Sequence, residues 1–161
     1  MRVALIGAGY FGQFHIDAWQ RMEGAELVAL VDQDPSKAIE GVPHFIDAVE
    51  RVAAIKPDII DIASPPTTHL GLITALAPVC KNLICQKPFC RDLEEAEQAL
   101  VAAGDARVII HENIRNQPWY AEAVRLVKNG AVGAPFQVSF RMRPGDGQGP
   151  DAYLARQPYF Q

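Results

Sequence analysis

The chain has 161 residues, 49% hydrophobic and 21% charged, with 15 lysines and arginines against 19 aspartates and glutamates. That length suits one domain of ordinary size and falls short of two, and an apolar content near half excludes a mainly disordered chain. A net charge of -4 leaves no overall positive field to hold nucleic acid or an anionic membrane.

The longest weakly charged stretch, residues 59–78, is broken by Ser64-Pro65-Pro66-Thr67-Thr68-His69, so no membrane-spanning helix is expected. The apolar run after Arg2 ends at once in glycines and is too short for a secretory signal. A cytoplasmic protein is the default expectation. The three cysteines, Cys80, Cys85 and Cys90, are an odd number without a partnering ligand pair. Reduced, mostly buried thiols are expected rather than a disulfide framework or a metal site.

In chain order, residues 3–6 form a short strand, and residues 10–22 a helix with Phe11, Phe14, Ala18 and Met22 near one face. Residues 27–31 are apolar without alternation, as in a parallel strand buried on both faces. Asp34-Pro35 supplies an N-cap and a first-turn proline for a short helix from Ser36. A brief third strand at 44–46, a helix at 48–55 and a fourth strand at 58–62 follow. Next come a helix over 67–77, a strand at 83–85, a helix over 92–103 with Glu94, Glu95 and Glu97 outward, and a sixth strand at 107–111. Strands alternating with helices in this way predict an α/β fold, a doubly wound parallel sheet of Rossmann type.

The remainder does not repeat that unit. A helix over 119–129 closes on Asn129-Gly130, and residues 136–142 alternate apolar and polar, as a strand with one solvated face does. Residues 144–150 are mostly glycine and proline and predict a loop. A lone strand cannot form a domain. The expectation is a Rossmann domain over residues 1–115, followed at 116–161 by a linker helix, one strand and a loop of an α+β second domain that is cut short.

Three constellations carry chemistry. Gly7-Ala8-Gly9-Tyr10-Phe11-Gly12 follows a strand and opens a helix, the context a dinucleotide fingerprint requires. Gly7 permits the tight turn, Gly9 the approach of a pyrophosphate to the backbone, and Gly12 close helix–sheet packing, with the helix amino terminus facing the phosphates. Asp32 ends the second strand, where a carboxylate accepts from adenosine ribose hydroxyls; its charge favours NAD over NADP, although Lys37 is a possible partner for a 2′-phosphate. The loop with Ser64, Pro65, Pro66 and His69 follows the fourth strand, opposite the glycine loop across the switch point. It reads equally well as a stiff nucleotide wall or as a plain turn with Thr67 as cap and an exposed His69. Gln86-Lys87-Pro88 follows the fifth strand, and a lysine there points to the crevice where ligands bind. Removing a hydride from a carbinol needs its hydroxyl held and its proton drawn off, and a lysine can do either.

These residues, in this order, resemble the amino-terminal part of the Gfo/Idh/MocA-type oxidoreductases, the glucose–fructose oxidoreductase and inositol dehydrogenase group. Residues 7–15 are similar to its G-x-G-x-x-G-x-x-H, residues 65–69 to its P-P-x-x-H loop, and residues 86–88 to its E-K-P motif. His111-Glu112-Asn113-Ile114-Arg115 and the turn at 130–133 resemble the passage into its second domain.

The resemblance implies an NAD-dependent dehydrogenase of a sugar, cyclitol or related polyol, homo-oligomeric through its second domain. It places Gly7, Gly9, Tyr10, Phe11, Gly12, Asp32, Ser64, Pro65, Pro66, His69 and Gln86 around the cofactor. Lys87 becomes the catalytic and substrate-holding residue, with Asn113 and Arg115 beside the substrate. Gln86 stands where the motif has glutamate, keeping its shape without its charge.

The group's acid–base histidine has no counterpart among His15, His44, His69 and His111, and His111 reads either as facing the crevice or as packing. Trp19, Trp119 and Tyr120 read as packing residues. Arg141 and Arg143 meet either an acidic substrate or solvent, and Tyr153, Arg156 and Tyr159 lie in the tail. A non-catalytic dinucleotide-binding module is the alternative to the enzyme, and binding of S-adenosylmethionine a weaker third.

Overall fold

The computed structural model describes residues 1–46 and 49–141. The chain divides after Arg115, and the two parts are taken separately. The first holds β1 (Arg2–Ile6), α1 (Tyr10–Arg21), β2 (Glu26–Val31), β3 (His44–Phe45), α2 (Val49–Ile55), β4 (Ile59–Ile62), α3 (His69–Leu76), β5 (Asn82–Gln86), α4 (Leu93–Ala103) and β6 (Arg107–His111). The strands form one sheet in the order β3-β2-β1-β4-β5-β6, and every adjacent pair is parallel. The order reverses between β1 and β4, so the loops leaving these two strands flank the crevice where doubly wound sheets take ligands.

Side chains alternate between the two faces of the sheet. From β1, Ala4 and Ile6 join Val52 of α2, Ile73 and Leu76 of α3, and Ala99 and Ala103 of α4 in the larger core. Leu5 turns to the opposite face and packs with Ile16 of α1 and Leu30 of β2. Leu5 is in register with Asp61, Asp61 with Ile84, and Gln86 with His111. The α1 face of the sheet therefore carries a polar group on each of three adjacent strands.

Four local expectations are corrected. Residues 35–37 form a single 3-10 turn and not a helix. Asp34 caps it by accepting the Ser36 amide, but Ile39 and Val42 are drawn into the Leu5–Leu30 cluster, which ends the winding. On α1 the buried residues are Gly12, His15, Ile16 and Trp19, whereas Phe14 and Met22 are exposed. The helix approaches the sheet through its smallest and its hydrogen-bonding residues, so the aromatic stripe is turned aside. On α4, Glu95 is buried. Its carboxylate accepts the Arg91 amide at 2.7 Å and the Arg91 guanidinium at 3.1 Å, and the Arg91 hydrogen bonds hold it below the usual carboxylate range.

The fourth concerns the alternating segment. Residues 136–141 form no strand, and Phe136, Val138 and Phe140 are all exposed. A strand needs a partner for its backbone ladder and a covered face for its apolar residues, and the described part of this segment has neither. Met142, Arg143, the 144–150 loop, Tyr153, Arg156 and Tyr159 lie outside the described residues. Within the second part, α5 (Pro118–Lys128) carries Trp119 and Tyr120, whose ring centroids are 6.2 Å apart, and Tyr120 meets Phe140 at 6.0 Å. Among the described residues no helix is long and apolar enough to cross a membrane.

Candidate nucleotide site and its lysine

The turn after β1 is built by glycine for two separate reasons. Gly7 has φ +97°, and a Cβ there would lie 2.7 Å from the Ser64 amide nitrogen. The glycine loop and the loop after β4 thus meet backbone to backbone, tied further by the Ala63 amide donating to the Ile6 carbonyl at 2.8 Å. A Cβ at Gly12 would run into the carbonyl oxygen of Gly7, so only glycine lets α1 start this close to β1. Gly9 opens α1 with no side-chain cap, and a Cβ there would meet nothing within 4 Å. Close packing at Gly7 and Gly12 beside open space at Gly9 is the shape a pyrophosphate needs.

Asp32 sits at the end of β2, half-buried. Its Oδ2 accepts the Ala8 amide at 2.6 Å and its Oδ1 the Asp34 amide at 2.9 Å. Beside it lies a cavity of about 370 Å³ lined by Gly7, Asp32, Ile46, Ser64, Pro65 and Thr68, among others. Sequence reading places Gly7, Asp32, Ser64 and Pro65 around one cofactor, and the fold sets these four around one cavity. The chain around the cavity fits a dinucleotide, with its glycine cradle, its carboxylate and its stiff opposite wall.

His69 and Gln86, also expected around the cofactor, are instead buried away from this cavity. His69 is fully buried, neither an exposed first-turn residue nor a surface of the cavity. Its Nδ1 faces the Phe89 carbonyl at 2.8 Å and its Nε2 the Ser64 carbonyl at 2.9 Å. The ring bridges the Ser64–Pro65 loop and the turn that follows Lys87. Thr68 completes the loop, donating to the Pro65 carbonyl at 2.8 Å and pairing with the Ser64 hydroxyl at 2.7 Å. Pro66 is buried beneath it, leaving Pro65 as the exposed proline.

Gln86 is the second exception. It too is buried, and all of its polar atoms are engaged inside the protein. Its Oε1 accepts the Lys87 amide at 2.7 Å. Its Nε2 lies 3.0 Å from His15 Nε2 and 3.3 Å from His111 Nδ1. His15 reaches Asp61 Oδ2 through Nδ1 at 2.8 Å, and the Trp19 indole donates to the same oxygen at 2.7 Å. The His15 and His111 rings stack edge to face at 4.7 Å. Burial holds His111 below the usual imidazole range, with His15 and Lys87 adding to it and the charges of Asp61 and Glu112 opposing it.

Lys87 follows β5 and is half-buried. Its Nζ lies 4.9 Å from the centroid of the Phe11 ring, a contact that contributes about 0.5–1 kcal/mol when partly solvated. Tyr10 meets Phe11 edge-on at 5.6 Å and Phe14 edge-on at 5.4 Å, and the Phe11 and Phe14 rings are tilted to each other at 6.0 Å. Phe11 also borders a larger cavity of about 430 Å³, shared with Trp19, Asp61, His111 and Asn113. Asn113 is thus at a cavity wall, whereas Arg115, on the same 3-10 turn, is exposed. Cys85, buried behind Lys87, has its thiol pushed up to about 12 by burial, which leaves it inert at neutral pH.

The residue that sequence reading missed is Asp61. A carboxylate inside the apolar run Ile59-Ile60-Asp61-Ile62 of a buried parallel strand was the available signal, because such a charge is rarely buried without partners.

A parallel sheet in this strand order, with a glycine cradle and a carboxylate at its switch point, defines a dinucleotide-binding Rossmann domain. Residues 1–114 match the profile of the GFO_IDH_MocA oxidoreductase family, NAD-binding Rossmann fold, and the chain belongs to that family. It is similar to a D-apiose dehydrogenase from Paraburkholderia graminis, 37% identical over 98% of this chain and 44% of that protein. An inositol 2-dehydrogenase from Rhizobium meliloti is 31% identical over 89% of this chain and 45% of its own length. Among solved structures, an oxidoreductase from Agrobacterium radiobacter in complex with NAD+, L-tartaric acid and magnesium superimposes with a TM-score of 0.76 at 31% identity. It is matched over 84% of this chain and 42% of that one. The chain therefore spans less than half the length of these relatives.

Proposed function

We propose that this chain supplies the cofactor half of an NAD-dependent oxidoreductase acting on a sugar, cyclitol or related polyol. The observation that carries the reading is the meeting of the glycine loop, Asp32 and the Ser64–Pro65 wall around one cavity, with Lys87 two strands away at the end of β5. The names of its relatives, D-apiose dehydrogenase and inositol 2-dehydrogenase, support the substrate class. When bound, the nicotinamide supplies the hydride acceptor or donor.

The chain's own residues do the rest. Gly9 leaves room for the phosphates at the start of α1, which Gly7 and Gly12 let pack close against β1 and the Ser64 loop, and Asp32 takes the ribose hydroxyls. Its negative charge disfavours a 2′-phosphate, so NAD is preferred over NADP. Ser64 and Pro65 wall the nucleotide, while His69 ties their loop to the turn after Lys87 and Gln86 fixes the Lys87 amide. Lys87 holds and polarises the reacting oxygen of the substrate as a charge-assisted hydrogen-bond donor. Asn113 and Arg115 stand on the substrate side, and residues 116–161 open the substrate and oligomerisation domain of a cytoplasmic homo-oligomer.

The test is a fluorescence titration of the 161-residue chain with NADH and with NADPH. Saturable binding, tighter for NADH, is expected. A folded chain that saturates with neither would sink the nucleotide reading. For the substrate, the protein at its natural length is assayed with NAD against polyols and against 2-hydroxy acids. Turnover of the acids alone would overturn the polyol class.

A further inference from the structure

The amide of Gln86 has only one workable orientation. Its Oε1 accepts the Lys87 amide at 2.7 Å, and the reversed amide would set two donors against each other. The NH₂ group therefore points at His15 Nε2 and His111 Nδ1, 3.0 and 3.3 Å away. An amide nitrogen only donates, so both ring nitrogens must offer lone pairs. His15 then carries its proton on Nδ1 and gives it to Asp61 Oδ2 at 2.8 Å. This is consistent with Asp61, which as a carboxylate can only accept and already takes the Trp19 indole on the same oxygen. Every donor in the chain from Asp61 to His111 meets an acceptor, and the ring proton of His111 is left on Nε2.

His111 is half-buried and borders the larger cavity together with Phe11 and Asn113. Its Nδ1 is spent on Gln86, and no hydrogen bond to its Nε2 is formed among the described residues. We propose that Gln86 is a positioning residue that sets the polarity of His111, presenting a neutral imidazole with Nε2–H, a hydrogen-bond donor, to the cavity. Asp61, acting through His15, anchors the device.

A carboxylate at position 86 would do the opposite. It would accept from both rings, draw the His111 proton to Nδ1, and leave Nε2 as a lone pair or the ring as a cation. The amide also blocks proton passage between Asp61 and His111, since it carries no titrating proton. The groups facing His111 are Gln86 and Lys87 from the end of β5, His15 from α1, Asp61 from β4 and the adjoining Glu112. The ligand class is one with an accepting oxygen, a hydroxyl or carbonyl. That assignment rests on the oxidoreductase reading, whereas the tautomer does not.

The test is long-range ¹H–¹⁵N NMR of the histidine rings in the 161-residue chain, assigned with His111→Asn and repeated in Gln86→Glu. In the unaltered chain above neutral pH, His111 is expected protonated on Nε2 and His15 on Nδ1. In Gln86→Glu the His111 proton moves to Nδ1, and its titration rises by about 1–3 pH units, as a new opposite charge at hydrogen-bond distance requires. A His111 protonated on Nδ1 in the unaltered chain overturns the proposal, whatever the variant does. So does a folded Gln86→Glu with an unmoved tautomer and titration. NADH binding is measured on the same samples. Lost binding with the expected tautomers counts against the oxidoreductase reading alone, and intact binding with the wrong tautomer counts against this proposal alone.

Discussion

Asp32 reaches from the end of β2 into the glycine loop, where its Oδ2 accepts the Ala8 amide at 2.6 Å. The carboxylate that would select the ribose also fixes the loop that would cradle the phosphates, so one side chain couples the two ends of the adenosine diphosphate site. Asp32→Ala removes both functions. NADH affinity is expected to fall by about tenfold to a hundredfold, the scale of lost hydrogen bonds to a charged group, and the margin over NADPH to narrow. Titration with both nucleotides checks this. Unchanged affinity and preference in a folded variant would remove Asp32 from the site.

Gly12→Ala tests the packing of α1 against β1. The added methyl meets the Gly7 carbonyl, which is backbone and cannot swing aside. The helix must retreat, at a cost of about 1–3 kcal/mol. A lowered thermal midpoint and weakened NADH binding are expected together. Gly9→Ala provides the contrast, because its Cβ enters open space: the fold should keep its stability while nucleotide binding suffers. If both variants lose stability equally, the division of labour between the two glycines is wrong.

The fold was legible where apolar pattern and turn chemistry agreed. All six strands stand close to where short apolar runs and glycine or proline punctuation put them, and the glycine loop leads into α1 as its spacing requires. What could not be read was the direction of polar side chains. Asp61 looked like an interruption of an apolar strand and Glu95 like one more outward charge on α4, because neither His15 and Trp19 nor Arg91 announces a partner from sequence distance. His69 and Gln86 belonged to the right loops, yet burial gave them a supporting part, which depends on how two loops from different strands close on each other. The 136–141 segment carried strand periodicity, but a strand forms only with a neighbour, and periodicity says nothing about whether one is present.

His69 bridges the Ser64–Pro65 loop, the proposed nucleotide wall, and the turn after Lys87. Replacing it with alanine removes the ring N–H, which a neutral imidazole gives to one of the Ser64 and Phe89 carbonyls, and opens space in a packed site. A loss of about 2–4 kcal/mol is expected from the combined effects, read as a lower midpoint in urea. NADH binding should weaken as well, although the ring touches no part of the cavity. A variant as stable as the parent, with normal binding, would show that the loops hold their places without the clamp.

The pH dependence of stability follows from His111. Burial lowers its pKa in the folded chain below the ordinary 6.5, with His15 as the next cause. When the folded form refuses a proton that the unfolded form accepts, acid favours unfolding. Above the unfolded value His111 is neutral in both states and contributes no slope. As pH falls below about 6.5 the unfolded chain takes up the proton first, and stability drops until the folded pKa is reached. Glu95 and Asp34, whose carboxyls are held low by Arg91 and Ser36, contribute in the same direction but at lower pH, through the carboxylate range. Urea denaturation at a series of pH values should therefore show a decline beginning near the imidazole range. His111→Asn keeps an acceptor for Gln86 and removes the titration, so it should flatten that upper part and spare the lower. If the unaltered chain and the variant decline in parallel from neutrality downwards, the imidazole is as easily protonated folded as unfolded, and its burial has no energetic consequence.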